Sequence, residues 1–266
     1  MNVVGTVSVQ VRKLALAVAF FVRMGTVRKA VGKMKVGIIG AEDGELAPLK
    51  EDLTAERRST LLGMDFCEGL LGTMEVVVVR CGTGKVHAAL CAFALIERFG
   101  VDAIVNTGAA GALDGRLRIG DIVVSDDLVQ HDMDVSGLGY EIGQIPDVDC
   151  FAFKADERLK DLVVQAVRQV APEVNVYVGR IATGDVFVSD AKAKDAIAQR
   201  FGALCAEMEG AAVAQACHLA RVPFVVIRAI SDQADGGANV DFPTFRVEVG
   251  DRSARIVEKA VARLLS

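Results

Sequence analysis

The chain of 266 residues is 52% hydrophobic and 24% charged, and these proportions exclude a disordered, collagen-like or disulfide-framed protein. The formal net charge of −5 argues against a protein that binds nucleic acid through a basic surface. The 26 glycines, set against five prolines and no low-complexity tract, indicate many tight turns and close approaches of the backbone to a ligand.

Residues 1–33 form a basic leader that holds six of the 30 basic residues and none of the 35 acidic ones. Its apolar run over residues 14–22 is too short to span a membrane, although its length suits a signal peptide and the composition of the leader resembles an organellar targeting sequence. We favour a leader that is disordered or untranslated, with Met24 or Met34 as the true start, because a clear core pattern begins at Met34. On this interpretation the protein is cytoplasmic, whereas a functional targeting signal would make it exported or organellar.

From Met34 onward, short segments rich in β-branched residues alternate with longer segments of helical periodicity. Several of the short segments are apolar at successive positions, which is typical of strands buried on both faces of a sheet. The predicted elements are, in chain order, strands Val36–Ile39 and Glu75–Arg80, helix Lys85–Phe99, strands Ala103–Asn106 and Asp121–Ser125, helix Asp156–Val170, strand Val176–Ile181, helices Ala191–Arg200 and Glu209–Ala220, strand Phe224–Ile230 and helix Ser253–Leu265. This alternation predicts one α/β domain over residues 34–266, with a three-layer α/β/α architecture around a central mixed, mainly parallel sheet.

The six cysteines and three histidines offer no metal-ligand spacing. No two cysteines form a C-x-x-C pair, and several lie in apolar stretches, which indicates buried reduced thiols rather than disulfides or a zinc site. The histidines (His87, His131 and His218) are scattered, and the run His131-Asp132-Met133-Asp134 has no companion ligand at a suitable spacing. The sequence therefore predicts no metal site.

Clusters of glycine and polar residues follow several of the predicted strands, at residues 40–45, 81–85, 106–111, 183–185 and 231–232. Ligands of open α/β sheets bind beyond the carboxyl ends of the strands, where glycine allows backbone N–H groups to approach a ligand. We therefore expect these five loops to build one ligand site.

Four carboxylates, those of Glu45, Glu207, Glu209 and Asp232, fall near these strand ends. Each one alone has an ordinary structural explanation, as a first-turn or N-cap residue of a helix. Together they favour acid and base chemistry in one pocket, in which one carboxylate activates water and another protonates a leaving group.

Two common nucleotide-binding motifs are absent. The run Gly82-Thr83-Gly84-Lys85 lacks the full spacing of a P-loop, and no G-x-G-x-x-G fingerprint follows the first strand. The sequence therefore disfavours a nucleoside triphosphate or NAD and predicts no cofactor.

Five stretches, at residues 34–41, 82–86, 106–111, 120–123 and 224–232, resemble the nucleoside phosphorylase superfamily. Two more, Gly184-Asp185-x-Phe187-Val188 and Ala206-Glu207-Met208-Glu209, are similar to the bacterial 5′-methylthioadenosine/S-adenosylhomocysteine nucleosidases. The resemblance covers nearly all of residues 34–266 and implies a nucleoside phosphorylase-like fold. It implies hydrolysis of the N-glycosidic bond of 5′-thio-adenosines, with 5′-deoxyadenosine as a further substrate, to adenine and the sugar, without a metal or cofactor.

The resemblance also assigns roles to individual residues. Glu45 would polarise the attacking water, and Asp232, with a pKa raised by its surroundings, would protonate N7 of adenine. Glu209 would bind the ribose hydroxyls, and Met208 would pack on the sugar. The other residues that it places in or behind the substrate site are Phe187 and Val188 beside adenine, Arg228 and Ser231 behind the carboxylates, and Ala41, Thr83, Ala110, Gly111, Glu207 and Phe242.

The same resemblance implies a homodimer, in which Leu138 and Pro146 reach across the interface to close the partner's pocket. The chain departs from the family pattern at Glu42, Thr83, Ala109 and Leu138. Since a carboxylate near the 5′ substituent suits an ammonium group, we hypothesise that Glu42 shifts preference toward S-adenosylhomocysteine. The alternative is that Glu42 points to solvent.

Three other functions stay open at this stage. A nucleoside phosphorylase of the same fold would use phosphate in place of water, although the charge of Glu45 would repel phosphate. An aminofutalosine-type nucleosidase would share the same chemistry. A non-catalytic nucleoside sensor would not need an acid and a base together.

Overall fold

The computed structural model describes residues 34–234 and 238–265, and in the second range it describes side chains over residues 250–264. The expectations for residues 1–33 and for the side chain of Phe242 therefore lie outside the described residues. The described strands are β1 Lys35–Gly40, β2 Thr54–Leu61, β3 Met64–Leu71, β4 Met74–Arg80, β5 Ala103–Ala112, β6 Ile122–Gln130, β7 Phe153–Lys154, β8 Val176–Thr183, β9 Cys205–Glu207 and β10 Phe224–Asp232. The described helices are α1 Ala47–Glu51, α2 Lys85–Glu97, α3 Glu157–Val170, α4 Ala191–Phe201, α5 Gly210–Ala220 and α6 Ala238–Ala262, with 3₁₀ turns at Asp43–Glu45, Ser136–Leu138 and Arg263–Leu265.

All of the described strands join one mixed sheet. Its centre, β4-β1-β5-β10, is entirely parallel, and the hairpin strands β3 and β2 extend one edge in antiparallel pairing. On the other side β10 pairs with β6, β6 with β8, β8 with β9, and β9 returns to β5. Five strands therefore close into a ring, which brings the ends of β5, β8, β9 and β10 together.

The valine-rich strand β4 shows how the layers form. Val77 and Val79 pack in a cluster with residues of α2 and α5, whereas Val76 and Val78 pack in a second cluster with residues of α3 and α6. Because successive side chains of a strand point to opposite faces, four successive buried valines require helices on both sides of the sheet. The predicted three-layer α/β/α arrangement is confirmed.

The predicted elements all exist, but several differ in extent. The strand predicted over Ala103–Asn106 continues to Ala112, because its small residues pair with β10 and β9. The helix predicted to begin at Ser253 begins at Ala238. Sequence analysis missed the hairpin strands β2 and β3, the short strands β7 and β9 and the helix α1; β2 is exposed along its whole length and so carries no burial pattern. Among the described helices, none has both the length and the apolarity that crossing a membrane requires.

Candidate active site

A cavity of about 160 Å³ lies where the ends of β1, β5, β9 and β10 meet. It collects residues from all of the predicted loop clusters except 183–185, next to which Phe187 stands. Its lining residues are Ala41, Glu42, Glu45, Thr83, Ala109, Ala110, Gly111, Phe187, Ala206, Glu207, Met208, Glu209, Ser231 and Asp232.

The register of the closed ring sets the relative positions of these residues. Gly111 of β5 lies opposite Asp232 of β10 on one side and opposite Ala206 of β9 on the other. A Cβ atom at Gly111 would stand 2.8 Å from Oδ1 of Asp232 and 2.9 Å from Cβ of Ala234, so any other residue at this position would displace the carboxylate or its neighbour. The adjacent residue of β9, Glu207, lies opposite Thr183 of β8.

Glu45 enters the cavity from the 3₁₀ turn that follows β1, and its side chain is buried. Its Oε2 accepts hydrogen bonds from the backbone N–H groups of Ala41 at 2.7 Å and Glu42 at 3.1 Å, and its Oε1 accepts one from Ala109 at 3.2 Å. Burial raises the pKa of the carboxyl. This effect outweighs the N–H donors and the positive charge of Arg228, which lower the pKa. Glu45 therefore has a fixed orientation and an affinity for a proton above that of an ordinary glutamate.

Asp232 ends β10 and is 2% exposed. Its Oδ2 accepts a hydrogen bond from Ser231 Oγ at 2.8 Å, and its Oδ1 accepts one from the backbone N–H of Ala234 at 2.8 Å. These contacts hold the carboxyl group in one orientation at the wall of the cavity.

Glu207 has both carboxylate oxygens engaged within the protein. Arg228 donates to its Oε2 from Nη2 and from Nε, and Thr183 donates to its Oε1. The backbone N–H groups of Glu209 and Gly210 also donate to Oε2, at 3.0 and 2.7 Å. Burial opposes ionisation of Glu207, but the guanidinium of Arg228 and these donors outweigh it and lower the pKa. Glu207 therefore acts as a charged anchor for the start of α5.

Glu209 is the N-cap residue of α5 and is buried. Its Oε1 accepts a hydrogen bond from the backbone N–H of Gly84 at 2.8 Å, which joins α5 to the loop that precedes α2. Burial and the negative charge of Glu207 raise the pKa of Glu209 to about 7. Glu209 is thus a buried carboxyl that titrates near neutral pH.

A polar network ties together three loops beside the cavity. Lys85 Nζ donates to Asp132 Oδ1 at 2.7 Å, and the backbone N–H of Lys85 donates to Asp185 Oδ1 at 2.8 Å. The backbone N–H of Asp185 donates to Asp132 Oδ2 at 2.9 Å. The run at residues 131–134 is therefore part of the scaffold that positions the loop carrying Phe187.

The sequence profile of the phosphorylase superfamily matches residues 35–262. A 5′-methylthioadenosine/S-adenosylhomocysteine nucleosidase of Shewanella denitrificans is 42% identical over 232 residues, which cover 87% of this chain and 100% of that protein. A crystal structure of S-adenosylhomocysteine nucleosidase from Streptococcus pyogenes in complex with 5-methylthiotubericidin has a TM-score of 0.84 and 40% identity, covering 88% of this chain and 99% of that one. The chain belongs to the 5′-methylthioadenosine/S-adenosylhomocysteine nucleosidase family.

Membership of this nucleosidase family confirms the resemblance and the nucleoside phosphorylase-like fold that the sequence predicts. A protein with a related activity has the same fold. The structure of futalosine hydrolase from Helicobacter pylori matches this chain with a TM-score of 0.82 and 34% identity, covering 86% of this chain and 98% of that one.

Most of the residues that the nucleosidase resemblance selects line the cavity, but four described ones do not. Val188 is buried in the apolar cluster that contains Val129 and Ala182, directly after Phe187. Arg228 lies behind Glu207, and Leu138 and Pro146 stand away from the cavity in the segment after β6. Leu138 is 75% exposed.

Sequence analysis did not select Ala206 as a site residue, although it lines the cavity. It also did not select two buried polar residues that hold the charged groups behind the cavity wall. Asn106 accepts a hydrogen bond from Arg228 Nη2 at 2.7 Å and donates one to the carbonyl of Ile39 at 3.1 Å. Thr183 accepts one from the backbone N–H of Ala211 and donates to Glu207. Both fall within the clusters of glycine and polar residues that the sequence shows at 106–111 and 183–185, and that position was the available signal.

Among the described residues, one group of histidine, cysteine or acidic side chains is close enough to share a metal ion, and it lies outside this cavity, at Asp149, Cys150 and His218. The expectation of no metal rested on spacing in the sequence, and 68 positions separate Cys150 from His218.

Proposed function

We propose that this protein hydrolyses the N-glycosidic bond of 5′-methylthioadenosine and S-adenosylhomocysteine, releasing adenine and the corresponding thioribose. The observation that carries this proposal is the convergence of Glu45, Glu209 and Asp232, all buried, on one small cavity of a chain of this family. Three carboxyl groups at one site suit a reaction whose transition state is a ribosyl cation, because carboxylates stabilise the positive charge as it develops. 5′-Deoxyadenosine fits the same chemistry as a further substrate.

In this mechanism Glu45 is the base that activates water. Its Oε2 is occupied by two N–H donors, while Oε1 accepts only one described hydrogen bond, from Ala109, and retains a lone pair for a water molecule. The raised pKa of Glu45 improves its ability to take the proton from that water.

Asp232 is the acid in this mechanism. A proton delivered to N7 makes adenine a neutral leaving group, so the carboxyl must be held in the plane of the base. The hydrogen bonds from Ser231 and Ala234 supply that orientation. Burial of the side chain excludes water that would otherwise compete for the same proton.

The remaining lining residues bind the nucleoside. Glu209 accepts hydrogen bonds from the ribose hydroxyls, and Met208, half-buried beside it, packs on the sugar. Phe187 is 43% exposed at the cavity wall and covers adenine, while the backbone of Val188 meets the edge of the base. We propose that this apolar cover and the hydrogen bonds to the hydroxyls fix the sugar between acid and base.

The charges around the cavity favour water over phosphate as the nucleophile. None of the described residues that line the cavity is a lysine, arginine or histidine. The nearby guanidinium of Arg228 is directed to Glu207, Asn106 and the carbonyl of Ile227. A phosphate placed beside Glu45 would therefore meet a carboxylate, while the guanidinium of Arg228 is already engaged by Glu207 and Asn106.

Glu42 is the lining residue that we place beside the 5′ substituent of the substrate. It is half-buried and lines the cavity together with Glu45. We propose that its carboxylate attracts the ammonium of the homocysteine group, so that S-adenosylhomocysteine is preferred to 5′-methylthioadenosine.

We propose that the active form is a homodimer. On α2, Val86, Leu90 and Phe93 share one helix face, and their side chains are 69%, 42% and 60% exposed. An apolar face of this kind is typical of a protein interface. In this dimer we propose that the exposed Leu138, together with Pro146, reaches the partner's cavity, as the family resemblance implies. Sedimentation equilibrium of the wild type and of Phe93→Glu tests this: we expect a dimer and a monomer, and a monomeric wild type would contradict the proposal.

A cytoplasmic location stays a prediction that depends on residues 1–33.

The deciding experiment measures adenine release from 5′-methylthioadenosine, S-adenosylhomocysteine and aminofutalosine, with and without phosphate. We expect release without phosphate from the first two substrates. Release only with phosphate would establish a phosphorylase, and release only from aminofutalosine would establish the futalosine-type activity. Binding of the nucleosides without any release would favour a sensor.

A further inference from the structure

The segment before β7 and the end of α5 bring three metal-binding side chains together on the outer surface. His218 Nε2 lies 2.8 Å from Asp149 Oδ1 and 3.8 Å from Cys150 Sγ, and all three ligand atoms lie within 4.8 Å of one another. The cluster borders a groove of about 800 Å³ that shares no lining residue with the candidate active site. We propose that Asp149, Cys150 and His218 form a zinc-binding site.

The distances suit a tetrahedral ion. Zinc with typical bonds to nitrogen, oxygen and sulfur separates an imidazole nitrogen from a carboxylate oxygen by about 3.4 Å and from a thiolate sulfur by about 3.6 Å. The observed separations differ from these values by about 0.6 and 0.2 Å. A rotation of the Asp149 side chain, which is 86% exposed, would therefore complete three of the four ligand positions.

The same three residue types occur in hydrolytic triads, but the geometry here is different. In a triad the carboxylate binds one imidazole nitrogen and the nucleophile binds the other. Here both Asp149 and Cys150 approach Nε2 of His218. Ligand atoms that converge on one point are arranged for a shared ion rather than for proton transfer along a chain.

The chemical types of the three ligands and their position at the end of a helix favour zinc. Thiolate and imidazole disfavour magnesium and calcium, which take oxygen ligands, and favour zinc. His218 stands in the last turn of α5, where the helix dipole favours a cation, and the ring of Phe153 packs against the imidazole with centroids 5.5 Å apart. The fourth ligand position would face the groove, where water can fill it.

A metal here would join the segment that carries Pro146 to the helix that begins beside Glu209. Without the ion, a single hydrogen bond and a weak thiol contact connect Asp149 and Cys150 to His218. The ion would therefore stabilise the folded protein, because it binds a site that exists only in the folded state.

Cobalt is a suitable probe, because Co²⁺ bound to a thiolate gives a charge-transfer band in the near ultraviolet. The full chain has six cysteines, and Cys150 is the one that is not buried, so the band would report on this site. The purified full-length protein, treated with chelator and kept reduced, is titrated with Co²⁺ and then with Zn²⁺. We expect a Co²⁺ band that saturates at one equivalent of metal and that disappears when Zn²⁺ is added. We also expect Zn²⁺ to raise the melting temperature of the protein.

Three variants and a control complete the test. We expect Cys150→Ala to lose the band, and His218→Gln and Asp149→Asn to weaken binding by at least about tenfold. The matched control is Asp147→Asn, which removes a carboxylate of the same groove outside the cluster and should bind as the wild type does. No saturable band in the wild type, or a band that persists in Cys150→Ala, would overturn the proposal. Unchanged affinity in both His218→Gln and Asp149→Asn would overturn it as well, and the exposed Asp149 makes that result independent of folding defects.

Discussion

Arg228 Nη2 and Glu207 Oε2 form an ion pair whose side chains are 1% and 2% exposed. Desolvation of two charges is costly, and such a pair is tolerated only when further hydrogen bonds satisfy both groups. Asn106 and Thr183 supply those bonds here, together with backbone N–H groups at the start of α5. The pair thereby fixes the position of Glu209, which follows Glu207 by two residues.

Removal of one partner of this pair should destabilise the protein strongly. Glu207→Gln leaves the guanidinium of Arg228 buried without a counter-charge, and we expect the free energy of unfolding to fall by about 3–5 kcal/mol. Urea unfolding measures the change. The control Asp114→Asn breaks the ion pair with the exposed Arg116 and should cost far less; equal losses in the two variants would contradict the account of Glu207.

Asp232→Asn should abolish most of the turnover while the fold is kept. The amide has the size of the carboxyl group and can keep the contacts with Ser231 and Ala234, but it cannot deliver a proton to adenine. We expect kcat for adenine release to fall by about 10²–10⁴-fold, with an unchanged melting temperature. Turnover near that of the wild type would reject Asp232 as the acid.

Glu45→Gln should also reduce kcat, because the amide cannot take a proton from water. We expect a loss of about 10²–10⁴-fold with little change in KM, since Glu45 contacts the water rather than the nucleoside. The control is Asp43→Asn in the same turn, whose side chain is 68% exposed and does not line the cavity. If the two variants kept similar kcat values, Glu45 would not be the base.

The raised pKa of Glu209 predicts a pH dependence of stability. A carboxyl with a pKa of about 7 when folded, against 4.5 ordinarily, holds more protons in the folded state between those values. The contribution of the Glu209 carboxyl to the stability of the fold is therefore fully present below about pH 4.5 and is lost as the pH rises through about 7. The Glu209→Gln variant cannot ionise at this position. Its free energy of unfolding, taken relative to that of the wild type, should therefore increase as the pH rises from about 4.5 to above 7, by on the order of 1–3 kcal/mol. Paired urea titrations at several pH values measure this difference, and a difference independent of pH would contradict the assignment.

Substitution of Glu42 should change the choice of substrate. Glu42→Met removes the proposed partner of the homocysteine ammonium, so we expect the ratio of kcat/KM for S-adenosylhomocysteine to that for 5′-methylthioadenosine to fall by roughly fivefold, equivalent to about 1 kcal/mol. Glu51→Met, at an exposed position of α1, serves as the control. An unchanged ratio would mean that Glu42 faces solvent.

The sequence by itself determined the fold class and the family. Strand β4 carries four successive buried valines, which requires helices on both faces whatever the connections between the strands. The motifs around Phe187 and around Glu207-Met208-Glu209 identified the nucleosidase family, and the glycine-rich strand ends located the loops that surround the cavity. These features are local, so they can be read without knowledge of the partners that each residue meets.

The tertiary structure alone decided which partners these residues meet. Closure of the strand ring through the three-residue β9 sets Gly111 between Ala206 and Asp232, and no periodicity in the sequence announces so short a strand. Likewise Glu207 forms an ion pair with Arg228, which lies 21 positions later in the chain, and Cys150 contacts His218 across 68 positions. The physical reason is that charge pairing, pKa and metal geometry depend on distances of a few ångströms in space, which separation along the chain does not fix.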